Sequence, residues 1–270
     1  MPVHAEWVRF GDGAGYLARP ERGGADLPGV VVIQEIWGVD GHIEELTRRL
    51  AGAGYAALAP DLYAVRGQRP ELMATGRVAE VQAFMNSMPP TAWADPAVRA
   101  AALAERPAAE AARIEASLAA LFAELGQMAK FVPALRASVD YLRKECPASR
   151  GQKVACVGFC MGGGLSALLA CEEPELAGAA IFYGSAPPLD RIGRINCPVA
   201  GFYGSLDARV NAGLPAFAQA MAVAGKRFEY QVYEGAAHAF FNDTRPVYHV
   251  HAARDAYARL LAFLRATTAP

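Results

Sequence analysis

Cys160 lies at the centre of the segment Gly158-Phe159-Cys160-Met161-Gly162, which follows the pattern Gly-x-nucleophile-x-Gly with cysteine in the usual place of serine. The pattern requires a tight turn from a strand into a helix, where the flanking glycines let neighbouring chains approach closely. Apolar residues over 152–158 predict the strand, and the spacing over 162–170 predicts the helix. The N-terminus of that helix favours a thiolate over a thiol. We therefore predict a nucleophilic cysteine, the alternative being a buried structural cysteine at a glycine-rich turn.

A cysteine nucleophile needs a base and a third group that orients the base. Asp207 follows the apolar run over 198–203, and His238 follows the run over 227–233. In hydrolases with this nucleophile turn the order along the chain is nucleophile, acid, histidine, and these three residues reproduce it. The other histidines precede the predicted sheet, open a helix or fall within the final helix; they are His4, His42, His249 and His251. Asp190 and Asp243 remain weaker alternatives for the acid.

Strands and helices that alternate along the chain must position these side chains. Short apolar runs rich in β-branched and aromatic residues predict strands over 29–35, 55–58, 152–158, 178–183, 198–203 and 227–233. Helical spacing separates most of them, and a last helix is predicted over about 247–266. Strands that alternate with helices predict an α/β fold with a mostly parallel sheet covered on both faces. In such a sheet the reactive groups lie beyond the carboxyl ends of the strands.

The alternation is interrupted between about residues 64 and 127, a stretch rich in Ala, Arg and Glu and broken by prolines. Asp95-Pro96 there is typical of a helix N-cap followed by a first-turn proline. We expect a single domain over 1–270 that carries a helical insertion at about 64–127. The insertion is either a surface excursion without functional meaning or a lid.

Composition excludes several classes of protein. The net charge of −1 argues against a large nucleic-acid footprint, and 53% hydrophobic residues argue against disorder. Five cysteines without a CxxC pair fit neither a disulfide framework nor a zinc site. We see no apolar run long enough to span a membrane and no signal peptide at the N-terminus, so the expected location is the cytoplasm.

Four motifs together resemble the dienelactone hydrolase (carboxymethylenebutenolidase) family of α/β-hydrolases. They are Gln34-Glu35-Ile36-Trp37-Gly38, Ala59-Pro60-Asp61-Leu62-Tyr63, the segment around Cys160, and Gly204-Ser205-Leu206-Asp207 with His238-Ala239-Phe240. The cysteine is the most specific element, because most α/β-hydrolases carry serine at that position. The resemblance implies an α/β-hydrolase fold and a Cys160-Asp207-His238 triad.

The resemblance also implies roles for residues that spacing alone does not single out. In that family a glutamate that matches Glu35 bonds the resting thiol and moves away when substrate binds. The oxyanion hole is formed by main-chain N–H groups that match those of Ile36 and Met161, which agrees with the usual arrangement after such a nucleophile. Without the resemblance, the sequence predicts that Glu35 is a polar residue at a strand end or a helix-capping group.

The sequence departs from the family at the arginines that hold a substrate carboxylate. One family arginine lies four residues after the histidine, where this chain has Asn242. The other falls in the insertion, where the sequence does not discriminate among Arg66, Arg69, Arg77 and Arg113. The departure leaves open whether the substrate is anionic and whether it is dienelactone. The aromatic residues considered for an apolar pocket are Trp37, Tyr63, Phe84, Trp93 and Phe240.

The expected function is hydrolysis of a small ester or lactone by a cysteine nucleophile, with no metal or organic cofactor. The expected partner is a small-molecule substrate rather than nucleic acid or a membrane, for a monomer or small homo-oligomer. Two alternatives stay open at this point. One is a hydrolase of other small esters or thioesters, and the other is a non-catalytic protein of the same fold that binds a ligand.

Overall fold

An eight-stranded sheet organises the chain in the computed structural model, which describes residues 2–22, 26–93 and 95–269. The strands are β1 Val3–Phe10, β2 Gly13–Pro20, β3 Gly29–Ile33, β4 Ala56–Pro60, β5 Val154–Phe159, β6 Ala179–Phe182, β7 Val199–Gly204 and β8 Phe228–Tyr233. Their order across the sheet is β1-β2-β4-β3-β5-β6-β7-β8. β3 to β8 run parallel, whereas β1 and β2 pair antiparallel. The predicted α/β class with a mostly parallel sheet is confirmed.

The predicted strands correspond to β3 to β8, and the sequence analysis missed β1 and β2. Central strands such as β3 and β5 are buried along their whole length, so they read as continuous apolar runs. β1 is an edge strand with polar and half-exposed positions, and it has no such run. The absence of an apolar run explains why the pattern did not predict β1.

Helices cover both faces of the sheet. The α-helices are α1 Gly41–Gly52, α2 Thr75–Asn86, α3 Pro96–Ala104, α4 Ala108–Leu125, α5 Val132–Asp140, α6 Met161–Glu172, α7 Ala208–Asn211, α8 Leu214–Val223 and α9 Val250–Thr268. Short 3₁₀ turns span Glu71–Met73, Pro90–Trp93, Met128–Phe131 and Leu189–Arg194, and a π turn spans Tyr141–Glu145. Side chains alternate along β3, so Val31 and Ile33 join the core under α5 and α6, whereas Val30 and Val32 join the core under α1 and α9.

The last helix starts later than the pattern predicts, and this corrects the placement of one histidine. α9 begins at Val250, so His249 lies outside the helix. Its backbone is extended, and its Nδ1 accepts a hydrogen bond from the backbone N–H of Ala252 at 3.2 Å. His249 therefore caps the helix N-terminus.

The stretch over 64–127 contains α2, α3 and α4, whose apolar side chains are part of the core on one sheet face. Phe84, Ile114 and Leu121 are buried there. Asp95 caps α3 as predicted, since its side chain accepts from the N–H of Ala97 at 2.8 Å. The helices are therefore integrated into the fold rather than looped out from it. The assignment of the whole chain to one domain stays a prediction.

No single helix within the described ranges is long and apolar enough to cross a membrane; Ala108–Leu125 and Met128–Glu145 meet the length and composition criteria only as a pair bent by 82°. In the same part of the chain no group of three or more His, Cys, Asp or Glu side chains is placed to hold a metal ion.

The turn from β5 into α6 brings backbone segments into direct contact. A Cβ atom on Gly162 would lie 2.3 Å from the carbonyl oxygen of Ile33, and one on Gly184 would lie 2.3 Å from the carbonyl carbon of Gly163. Side chains cannot be accommodated at such distances without moving the main chain. These glycines therefore fix how closely β3, β6 and α6 approach one another.

Gly162→Ala is expected to lower the free energy of unfolding by about 3 kcal/mol, because the new methyl group overlaps backbone atoms that cannot move aside. Urea denaturation followed by circular dichroism measures the change. Gly52→Ala is the matched control, since a Cβ at that position meets nothing within 4 Å. Equal stability of the two variants would contradict the close-approach argument.

Candidate active site

Cys160 occupies a strained turn between β5 and α6. Its φ of 55° and ψ of −113° are unusual for a residue with a side chain. The backbone is held there because the N–H of Cys160 donates to the carbonyl of Phe182 at 3.0 Å, and its own carbonyl accepts from Gly163 at 3.0 Å. The side chain is half-buried at the N-terminus of α6. This geometry places the sulfur at the carboxyl ends of the parallel strands.

The structure brings Asp207 and His238 together and places His238 next to Cys160. Asp207 follows β7 and caps α7, where its Oδ1 accepts from the N–H of Val210 at 3.3 Å. Its other carboxylate oxygen, Oδ2, lies 2.5 Å from Nδ1 of His238, which follows β8. Because an ionised carboxylate can only accept, Nδ1 carries the proton in this bond. The bond leaves Nε2 of His238 available to Cys160.

The pKa of His238 depends on the neighbouring Cys160. Burial lowers the pKa of His238, but the charge on Cys160 and the hydrogen bonds to Asp207 and Cys160 outweigh burial and raise the pKa from 6.5 to about 10. The imidazole of His238 therefore carries a proton at neutral pH.

Glu35 lies in the same cluster, but its contacts differ from those that the family resemblance implies. Its Oε1 accepts from the hydroxyl of Tyr183 at 3.2 Å, and its Oε2 accepts from Nδ2 of Asn242 at 2.7 Å. The described residues show no hydrogen bond between Glu35 and Cys160. Sequence reasoning missed both partners, because each lies more than 140 residues away in the chain.

Ile36 and Met161, the predicted oxyanion-hole residues, are both buried and are linked by Tyr63. The Tyr63 hydroxyl donates to the carbonyl of Ile36 at 2.8 Å and lies 3.8 Å from the sulfur of Met161. Burial raises the pKa of Tyr63 well above its usual value, so the hydroxyl keeps its proton. Tyr63 thus connects the turn after β3 to the start of α6, and its place in a substrate pocket stays a prediction.

The other pocket candidates are also largely enclosed. Phe240 is fully buried and packs against Tyr183 and Tyr233, with ring centroids 5.5 and 5.2 Å away. Its side chain therefore belongs to the core, and its place in a substrate pocket stays a prediction. Trp37 is buried and meets Trp93 edge-on at 5.5 Å, which brings the 3₁₀ turn of the insertion over the loop after β3.

Three of the four candidate arginines in the insertion bond to other side chains of the protein. Arg69 pairs with Asp61 at 2.6 Å. Arg77 donates to Ser117 at 3.1 Å and Arg113 pairs with Glu80 at 2.7 Å. Arg66 lies on the exposed part of its loop. None of these four arginines therefore stands out as a binding group at Cys160.

A different arginine, missed from sequence, lies in the site. Arg245 is 9% exposed, and its guanidinium lies beside Trp37 and Trp93, at 5.3 and 5.2 Å from their ring centroids. Its Nε has no hydrogen-bond partner among the described residues. Burial lowers the pKa of Arg245, although the charges of Glu35 and Cys160 act in the opposite direction. The loop between His238 and α9 thus places a buried cation near the nucleophile, three residues beyond Asn242.

Known proteins resemble this chain along most of its length. The sequence profile of the dienelactone hydrolase family matches residues 14–268. A protein of Saccharolobus solfataricus, provisionally named carboxymethylenebutenolidase, is 37% identical over 252 residues, which cover 93% of this chain and 92% of that protein.

Solved structures show the same architecture. A crystal structure of a provisionally named dienelactone hydrolase from Klebsiella pneumoniae superposes with a TM-score of 0.73 at 28% identity, over 98% of this chain and 99% of that one. The Pyrococcus furiosus esterase Pf2001 superposes with a TM-score of 0.60 at 14% identity, over 99% of this chain and 93% of that one. This second likeness concerns the fold alone.

The pKa of His238 is expected to lie near 10 and to fall by about one pH unit or more in Cys160→Ala. The reason is that the variant removes the sulfur's charge and one hydrogen bond, both of which hold the proton on the ring. Titration of the His238 ring signals by NMR measures the pKa in both proteins. Signals of His4 and His251, on the exposed surface, should titrate identically in the two proteins. An unchanged His238 midpoint would show that the sulfur and the ring are not coupled.

Proposed function

Because the chain belongs to the dienelactone hydrolase family, we propose that it hydrolyses a small ester or lactone through a covalent intermediate on Cys160. The family consists of hydrolases that act on small molecules. The observation that carries the proposal is the placement of Cys160 on its strained turn beside the His238–Asp207 pair. Such a pair supplies what a cysteine nucleophile needs, which is a charged sulfur and a group that moves protons.

In the first step the thiolate of Cys160 attacks the carbonyl carbon of the substrate. The backbone N–H groups of Ile36 and Met161 stabilise the oxyanion, and the Tyr63 hydroxyl keeps their loops together. The C–O bond of the ester then breaks, and the departing oxygen takes the proton of His238. In a lactone the leaving oxygen stays attached to the acyl group, so the ring opens without loss of a fragment.

In the second step water hydrolyses the thioester. Once the sulfur is acylated its charge is gone, so the main cause that raises the pKa of His238 disappears. The neutral ring, still oriented by Asp207, takes a proton from water as the water attacks the carbonyl carbon. The C–S bond breaks, the acid product leaves, and the thiolate and imidazolium are restored.

Arg245 supports a substrate that carries a carboxylate. The indole rings of Trp37 and Trp93 lie near its guanidinium, and Nε is buried without a partner. A buried cation without a partner is unfavourable, and a carboxylate matches the fork of the guanidinium. Arg245 would then provide the charge that Asn242 lacks at the position where the family has an arginine.

A free thiol at Cys160 also requires a reducing environment, and we propose the cytoplasm as the location. The cysteines of the described chain are all free, including Cys160. Oxidation of the proposed nucleophile would remove its ability to attack a carbonyl.

Cys160→Ala is expected to lower kcat for p-nitrophenyl acetate at least about 10³-fold, because no other group replaces the nucleophile. Release of p-nitrophenolate measures turnover, and mass spectrometry detects the acyl-enzyme in the parent protein. Cys146→Ala is the matched control, since Cys146 is buried away from the site and should leave kcat nearly unchanged. Full turnover by Cys160→Ala would overturn the proposed mechanism and favour a ligand-binding protein of this fold.

Arg245→Met is expected to lower kcat/KM for an anionic ester, such as a p-nitrophenyl hemisuccinate, by roughly 10- to 100-fold. The neutral p-nitrophenyl acetate should change less than about threefold, because it makes no ion pair. Arg254→Met, at an exposed position of α9, is the control for loss of a positive charge. Equal losses on the anionic and neutral esters would show that Arg245 does not select the substrate by charge.

A further inference from the structure

We infer that the buried ion pair between Asp61 and Arg69 positions one side of the oxyanion hole. The pair holds the loop over 61–69 against the turn over 35–39, which carries Ile36, a proposed oxyanion donor. The inference rests on the proposed function, since it gives the pair a task in the same reaction. Among the described hydrogen bonds neither side chain reaches the proposed nucleophile, so both are positioning residues that act through the backbone of the turn.

The two charged groups stand at the two ends of the loop that follows β4. Nε of Arg69 donates to Oδ2 of Asp61 at 2.6 Å, and the two side chains are 9% and 7% exposed. Loss of either partner would leave a buried charge unpaired, which is strongly destabilising. The pair therefore keeps the two ends of the loop together.

Asp61 connects the ion pair to the Tyr63 hydroxyl. Its second carboxylate oxygen, Oδ1, accepts from the N–H of Tyr63 at 3.2 Å, and its own N–H donates to the carbonyl of Ala14 in β2 at 2.9 Å. Tyr63 is buried, and from this position its hydroxyl donates to the carbonyl of Ile36 at 2.8 Å. The carboxylate thus holds Tyr63 with one oxygen and Arg69 with the other.

Arg69 contacts the end of the turn that follows Ile36. A Cβ atom on Gly38 would lie 2.7 Å from Nη2 of Arg69 and 2.9 Å from its Cζ and Nη1, so the guanidinium packs directly against this residue. Gly38 also has a φ of 81°, a conformation that favours glycine. Nη2 of Arg69 donates to the carbonyl of Val39 at 3.1 Å. A side chain at position 38 would therefore displace the guanidinium from the turn.

The turn over 35–39 depends on these contacts from outside. The bond within it, from the N–H of Gly38 to the carbonyl of Glu35, is 3.3 Å long, which is beyond the usual range for such a bond. The bonds from the loop, to the carbonyls of Ile36 and Val39, are shorter at 2.8 and 3.1 Å. A backbone donor stabilises an oxyanion best when it is in place before the charge forms. We therefore expect the loop to set the position of the Ile36 N–H.

The contacts also account for an arginine at this position. Nε of Arg69 bonds to Asp61, whereas Nη2 and the rest of the guanidinium contact the turn. A lysine ammonium carries the same charge but offers a single nitrogen on a flexible stem. Arg69→Lys therefore keeps a positive charge beside Asp61 while it loses the joint contact with the turn.

The first experiment compares two reactions of Cys160 in Arg69→Lys. Ester hydrolysis forms an oxyanion, whereas alkylation by iodoacetamide, in which the sulfur displaces iodide, forms none. We expect kcat/KM for p-nitrophenyl acetate to fall at least about tenfold, while the alkylation rate at pH 7 stays within about threefold of the parent rate. Mass spectrometry measures alkylation at Cys160, and Cys160→Ala gives the background from other thiols.

Arg259→Lys is the matched control for this experiment. Arg259 pairs with Asp255 through the same two atoms at the same 2.6 Å, but on the exposed surface of α9. Both of its rates should equal those of the parent protein. Equal losses in the two reactions of Arg69→Lys, or no loss in either, would overturn the inference.

A second variant serves if Arg69→Lys does not fold. The double substitution Asp61→Asn with Arg69→Gln replaces the ion pair by two neutral amides, so no buried charge is left unpaired. Asn keeps an oxygen for the N–H of Tyr63, whereas the shorter Gln loses the contact with Val39. The same selective loss of ester hydrolysis is expected, and proportional changes in the two rates would again contradict the inference.

Amide hydrogen exchange reports on the turn without any substrate. NMR should show the Gly38 amide exchanging at least about tenfold faster in a folded variant of either kind than in the parent protein, because the loop no longer holds the turn. An unchanged exchange rate would mean that the ion pair does not position the turn, and the inference would be wrong.

The two proposals can fail separately. Exchange at Gly38 requires neither substrate nor nucleophile, so it tests the contact between loop and turn even if Cys160→Ala retains full ester hydrolysis. Conversely, loss of turnover in Cys160→Ala says nothing about the contacts of Arg69.

Discussion

The site depends on the close approach of backbone segments around the β5–α6 turn. Gly162 and Gly184 let α6 contact the chain after β3 and β6 at distances that no side chain would permit. The same packing holds Cys160 at a positive φ, through the hydrogen bond from its N–H to Phe182. Strain at one residue is thus balanced by contacts on three strands, which is how a reactive side chain can be held away from the core.

Charged side chains surround that turn. Two acidic side chains, Glu35 and Asp207, lie near Cys160 together with His238 and Arg245. Each carboxylate is tied to a defined donor, Asp207 to His238 and Glu35 to Tyr183 and Asn242. The guanidinium of Arg245 has aromatic neighbours instead of an ion pair within the described residues. Both carboxylates of the site therefore have hydrogen-bond donors, whereas the Nε of Arg245 has no acceptor among the described residues.

The central strands and the positions of Cys160, Asp207 and His238 were predictable, because each signal is local. An apolar run ends, and a residue able to do chemistry follows it. The contact between Glu35 and Asn242 spans 207 residues and leaves no pattern in a single sequence. Arg245 was missed for a similar reason, since its burial depends on Trp93 from the insertion. The edge strand β1 and the helix cap at His249 show the same limit, because exposed or extended residues carry little periodic signal.

The four remaining cysteines also have a chemical consequence. Cys146, Cys156, Cys171 and Cys197 are buried, and burial raises the pKa of Cys156 and Cys197 to about 12 and that of Cys171 to about 11. A protonated, enclosed thiol reacts slowly with peroxides, whereas a half-exposed sulfur beside an imidazolium reacts quickly. We therefore expect oxidants to reach Cys160 before the four buried cysteines. If Cys160 is the nucleophile, as proposed, a sulfenic acid at this sulfur would stop turnover while the fold stayed intact, and reduction by cellular thiols would restore activity.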